Sequence, residues 1–104
     1  MYDMAKLKKL SALGEGASEA TKAFWAFDKA AMAEGAIPKK YKELIAVAVA
    51  LTTQCPYCLE LHRAGAVTAG ATQEELAETA LVAAALRAGA AITHAAHVMG
   101  EGKS

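Results

Sequence analysis

Along the chain, apolar residues recur at spacings of three and four, and each such stretch is bounded by a helix start or stop signal. Leu7 and Leu10 share one face of a short first helix expected over about 3–12, which the Gly14 and Gly16 pair ends. Ser18 is placed to cap a second helix over about 19–34, where Ala20, Phe24, Phe27 and Ala31 form an apolar stripe with Trp25 beside it. Gly35 closes it. Pro38 suits the first position of a third helix running to about Thr53, since its missing amide would be unpaired there anyway. Thr52, Thr53 and Gln54 interrupt the pattern. Pro56 then opens a fourth helix, with Cys55 as its cap and Gly70 as its stop. Thr72 followed by Glu75 is a capping box, and it starts a fifth helix through Leu76, Ala80 and Ala83 to about Ala88. Gly89 predicts a break or kink, after which Ala90 to Met99 form a sixth helical segment and residues 100–104 a frayed tail.

Composition agrees with this reading. The 104 residues include 27 alanines against 5 valines and 3 isoleucines, a balance that favours helices packed closely through small side chains. The expectation is an all-α, single-domain bundle of about six helices covering residues 1–104. Lys plus Arg equals Asp plus Glu at 11 each, so no basic excess exists to neutralise phosphates or an anionic lipid surface. Nucleic acid and membrane are not expected as partners. The longest uninterrupted apolar run, Leu44 to Leu51, is 8 residues, against the roughly 18 that span a bilayer. The first residues, with Asp3, Lys6, Lys8 and Lys9, lack the pattern of a secretory signal, and the expected address is the cytoplasm. Leu44, Ile45, Val47, Val49 and Leu51 cannot all point to one side of a single helix, which predicts a homo-oligomer.

The chemistry gathers in the middle of the chain. Cys55 and Cys58 open a helix, where unpaired amides carry partial positive charge and stabilise thiolate over thiol. The first turn also brings their Cα atoms within the roughly 7 Å that a disulfide requires. His62 follows Cys58 by four residues, on the same helical face and within reach of proton exchange, directly or through one water. Glu43 stands twelve residues before Cys55, about 15 Å back from the end of the third helix. It meets His62 only if the fourth helix folds back across the third; read alone it is a solvated charge beside Lys39, Lys40 and Lys42.

Other readings weigh less. Cys55, Cys58 and His62 give a zinc ion three ligands on one turn and no second knuckle. His94 and His97 have no neighbouring carboxylate to complete a set and read as an interface pair, so neither metal nor cofactor is expected. A glutaredoxin-like reading, with Ala46 to Leu51 as a strand, fails downstream: the only prolines are Pro38 and Pro56, and everything after Cys58 is Ala-rich helix. Phe24, Trp25 and Phe27 read most simply as core, the alternative being an apolar wall over the dithiol.

Glu43, Cys55-Pro-Tyr-Cys58, His62, then Ala64-Gly65-Ala66 and Gly70-Ala71-Thr72 form a string that resembles the alkylhydroperoxidase D-like branch of the carboxymuconolactone decarboxylase family. The resemblance covers roughly residues 36–86. It implies an all-helical fold and a peroxiredoxin-type thiol peroxidase that reduces a small organic hydroperoxide to its alcohol. An apolar wall of Phe24, Trp25 and Phe27 over the dithiol would suit such an organic peroxide. In the roles it implies, Cys58 attacks peroxide, Cys55 resolves the product, and Glu43 and His62 relay protons. It further implies an external dithiol reductant, lipoyl- or thioredoxin-like, and assembly as a trimer or hexamer. Tyr57 stands where some peroxidases of the family carry a histidine. The decarboxylases that share the family name lack the cysteine pair, so Cys55 and Cys58 argue against lactone decarboxylation. The competing function class is a dithiol carrier or redox sensor, in which the same disulfide is a signal.

Overall fold

The structure, a computed structural model, describes residues 2–102, and it is all-α. A 3-10 helix, Met4–Leu10, runs directly into α1, Ser11–Gly16; α2 is Ser18–Met32, α3 Lys39–Thr53, α4 Pro56–Thr68 and α5 Gln73–His94, with a 3-10 turn at Ala95–His97. Among the described residues there is no strand.

Two expectations about helix boundaries need correction. The first helix does not end before its glycines: α1 continues through Gly14 to Gly16. Nor does Gly89 break the fifth helix, which runs unbroken for 22 residues, so that five α-helices replace the expected six. A helix-interior glycine costs only about 1 kcal/mol relative to alanine. At Gly89 the alanines on both sides offset that cost, and its φ is not positive. Smaller shifts affect two starts. Ala17, not Ser18, is the N-cap of α2, and Pro38 lies one residue before α3, in extended backbone with φ −59° and ψ 151°.

Helix α3 is the centre of the fold, packed against α4 on one side and α5 on the other. Leu44, Val47 and Ala50 of α3 are buried with Ala66 of α4 and Ala83 of α5. Small residues at these crossings let the helices approach closely. Both α3–α4 and α4–α5 connections are short and sharply capped. Gln54 takes the left-handed conformation (φ 58°), and its amide and that of Cys55 both donate to the Ala50 carbonyl. Gly70, at φ 98°, plays the same part after α4, with the Ala71 amide donating to Ala66 at 2.9 Å. The predicted capping box is formed: Glu75 N–H donates to Thr72 Oγ1 at 3.1 Å, and Thr72 N–H donates to Glu75 Oε1 at 2.9 Å. Arg87 of α5 donates to the Thr52 carbonyl at the end of α3.

The amino-terminal helices lie more loosely. Helix α2 buries no residue, and Phe24, Trp25 and Phe27 are 54, 49 and 69% exposed, so the expected aromatic core is not built within the protomer. Polar contacts tie α2 to α3. Lys39 Nζ donates to the Met32 carbonyl at 2.8 Å, and Lys42 Nζ to those of Ala31 and Ala33, so two lysines satisfy the free carbonyl end of α2. Most of α5 away from Ala83 is also open, including Leu81, Leu86 and Ile92. With its 3-10 extension, Gln73–His97 is long and apolar enough to cross a membrane by length and composition, a feature that the short apolar runs of the sequence hide.

Candidate active site

The turn that reverses the chain between α3 and α4 delivers Cys55 to the N-cap of α4, and Pro56 occupies the first helical position. In this geometry the Cys58 amide points back at the Cys55 sulfur and donates to it at 3.2 Å. Both cysteines are free thiols, partly buried. The Cys58 side chain is the larger influence on Cys55: its S–H donates to the Cys55 sulfur, and with the Cys58 and Tyr57 amides it holds the Cys55 thiol below the ordinary cysteine range. Cys58 is pushed the other way, first by donating that proton to Cys55, then by burial and by the charge growing on its neighbour. Of the two thiols, Cys55 therefore ionises more readily and Cys58 holds its proton longer.

The α3–α4 hairpin also brings the two more distant candidates together. Glu43, 5% exposed, is the buried charged residue of the core, not a solvated one. Its carboxylate oxygens stand 3.4 and 3.3 Å from His62 Nδ1. A carboxylate can only accept, so Nδ1 carries the proton that faces Glu43, and in the neutral ring this makes Nε2 the acceptor. Lys39, one turn before Glu43 on α3, places Nζ 3.4 Å from Glu43 Oε1 while also holding the end of α2. Its part in the site was hidden in the sequence by the run of lysines around it.

Cys58 and His62 line one cleft of about 650 Å³ between α2, α3 and α4. Its walls are mainly apolar, from Phe27, Met32, Ile37, Ile45 and Val49, and Asp28 and Lys42 are its other charged lining residues. No direct hydrogen bond joins Cys58 to His62, and the cleft is what they share. Cys55 lies outside that lining. Tyr57, between the cysteines, meets the edge of Tyr2 with ring centroids 5.4 Å apart, and Tyr2 Oη donates to Glu60 Oε2 at 3.2 Å, so the start of the chain rests on the first turn of α4. His94 and His97 stand apart from this site, their rings 5.6 Å from each other and His94 Nδ1 2.9 Å from the Ala90 carbonyl.

The arrangement comprises a thiolate-stabilising cap, a second thiol facing an apolar cleft, and a carboxylate-anchored imidazole in the same cleft. Residues 18–101 match the model of the carboxymuconolactone decarboxylase family. "Uncharacterized protein 4 in cox locus" from Paracoccus denitrificans is 50% identical over 99 residues, covering 91% of this chain and 88% of its own. An uncharacterized protein of Cupriavidus necator is 41% identical over 71 residues, 68% of this chain and 63% of its own. Among solved structures, a carboxymuconolactone decarboxylase family protein from Legionella pneumophila superposes with a TM-score of 0.71 at 38% identity, covering 77% of this chain and 71% of that one. A protein from Methanobacterium thermoautotrophicum does so with a TM-score of 0.76 at 37% identity, covering 83% and 97%.

Proposed function

Since this chain belongs to the carboxymuconolactone decarboxylase family, we propose that it is a thiol-dependent hydroperoxide reductase of the alkylhydroperoxidase D-like kind. The observation that carries this reading is that Cys58 lines the same apolar cleft as an imidazole whose Nδ1 is anchored on a buried carboxylate. A hydroperoxide with an organic body enters the cleft. His62 Nε2 takes the proton of Cys58, and the Cys58 sulfur attacks the terminal peroxide oxygen. An S–O bond forms and the O–O bond breaks. The electron pair leaves on the alkoxide, which collects the proton from His62 and departs as the alcohol. Glu43 holds His62 in the tautomer that can do both and stabilises the imidazolium in between.

Cys55 serves the second step. Its thiolate attacks the Cys58 sulfenic acid, forming the disulfide and expelling hydroxide, which leaves as water after taking a proton. A thiol held below the ordinary cysteine range and kept outside the cleft suits this role, because it gives up its proton more readily than Cys58. An external dithiol, lipoyl- or thioredoxin-like, then reduces the disulfide by exchange and becomes a disulfide itself. The cysteine pair also argues against lactone decarboxylation, which the family name would otherwise bring to mind.

One observation favours a second reading. Cys55 is the more acidic thiol, as an exchange cysteine would be, and this fits a dithiol carrier or sensor without peroxidase turnover. Stoichiometric cumene hydroperoxide added to the reduced protein separates the two. The reductase loses two thiols rapidly, forms an intramolecular disulfide by intact mass, and recovers with a dithiol. A carrier ignores the peroxide and is oxidised only by disulfides.

A further inference from the structure

We infer that Gly65 is a positioning residue, placed so that the Glu43 carboxylate can lie against α4 and reach His62. Its catalytic consequence rests on the hydroperoxide-reductase reading, whereas its geometric content does not. Gly65 sits inside α4, three residues after His62 and one before Ala66, which is fully buried against α3. A Cβ at position 65 would fall 2.0 Å from Glu43 Oε2, 2.7 Å from its Cδ and 3.4 Å from its Cγ. The carboxylate therefore occupies the space that any side chain at 65 would need.

Nothing in the backbone asks for glycine there. Gly65 is not at positive φ, and a glycine inside a helix is less stable than the alanine that flanks it on both sides, at Ala64 and Ala66. Gly89, the corresponding glycine within α5, meets nothing within 4 Å, so close approach is a property of Gly65 and not of helix glycines in this chain. What a methyl group would displace is the end of a flexible side chain, not backbone. Gly65→Ala should accordingly leave α3 and α4 packed while turning the Glu43 carboxylate off His62.

The test reads the imidazole directly. Nitrogen-15 NMR of labelled histidine, at alkaline pH where the ring is neutral, should show His62 as the Nδ1–H tautomer in the wild type. In Gly65→Ala it should move to the Nε2–H form that free histidine prefers, as it should in Glu43→Ala. The Glu43→Ala, Gly65→Ala double variant should match Glu43→Ala alone, because the carboxylate that position 65 accommodates is gone. Thermal unfolding of Gly65→Ala should be unchanged or raised, and its thiol loss to cumene hydroperoxide slowed at least about tenfold. Retention of the Nδ1–H tautomer in Gly65→Ala overturns the inference. Should Gly65→Ala fail to fold, rescue by Glu43→Ala supports the clash and no rescue overturns it. A wild type indifferent to peroxide counts against the reductase reading alone, since the tautomer experiment stands without turnover.

Discussion

Cys55 and Cys58 differ by three positions in the chain and by opposite displacements in acidity. The helix cap explains the asymmetry, since Cys55 receives both the Cys58 amide and the Cys58 S–H, while Cys58 donates and is more enclosed. This sets a pH dependence for the reduced protein. From the depressed Cys55 value up to the ordinary thiol range, the unfolded chain binds one more proton than the folded one, so stability rises with pH. Above that range the unfolded chain has released both protons and the folded chain still holds that of Cys58, so stability falls. Thermal melts across pH should therefore show a maximum near the ordinary cysteine value. A Cys55→Ser, Cys58→Ser double variant should lose it. The cysteines, their helix start and the acidity of one of them were legible in the sequence, because capping is local chemistry, whereas the opposite displacement of Cys58 was not. The partnership of Glu43 with His62 was legible only through the family string. Residues 43 and 62 meet because α4 folds back on α3, and a run of lysines around Glu43 reads as solvated surface until that packing is known.

At the scale of elements, the starts of α4 and α5 and the ends of α3 and α4 were legible, whereas the ends of α1 and α5 were not. Thr72 with Glu75, and Cys55 before Pro56, are side-chain signals within one turn and were found where expected. Gly14 as a stop and Gly89 as a break have no support in the backbone, since neither has the positive φ that makes glycine a terminator, and Gly70, which has it, ends α4. Thr72→Ala removes the oxygen that accepts from Glu75, and should destabilise the protein by about 1 kcal/mol in urea unfolding. Thr72 is away from the cleft, so peroxide consumption should be unaffected. Within the site, Glu43→Gln and His62→Ala should slow thiol loss by about 100-fold at neutral pH. Circular dichroism should show both variants still folded. Wild-type rates in both would remove the relay from the mechanism.

The whole molecule is too open for a chain of its size. Its radius of gyration is 18.0 Å and its extents are 61 × 36 × 33 Å, whereas a compact 100-residue domain has a radius near 13 Å, an order-of-magnitude guide. The excess is in particular elements. Helix α2 exposes Phe24, Trp25 and Phe27, and α5 exposes Leu81, Leu86 and Ile92 at 70, 66 and 75%. Surfaces of this kind and extent mark contacts with other chains. The expected assembly is a homo-oligomer, trimer or hexamer, and copies covering these faces would place Phe24, Trp25 and Phe27 in a core shared between chains, which a single protomer does not build. Light scattering coupled to size exclusion should find that assembly, and Leu86→Glu with Ile92→Glu should reduce it to smaller species. A stable 10.8 kDa monomer at micromolar concentration would contradict it.

In the proposed function, Cys58 is the sulfur that meets peroxide and Cys55 the one that closes the disulfide. The direct test treats Cys55→Ser and Cys58→Ser separately with stoichiometric cumene hydroperoxide in the presence of dimedone, followed by peptide mass mapping. The account predicts a dimedone adduct on Cys58 in Cys55→Ser, formed at close to the wild-type rate of peroxide consumption, and no rapid adduct in Cys58→Ser. Rapid labelling of Cys55 in Cys58→Ser, with Cys58 inert in Cys55→Ser, would contradict it.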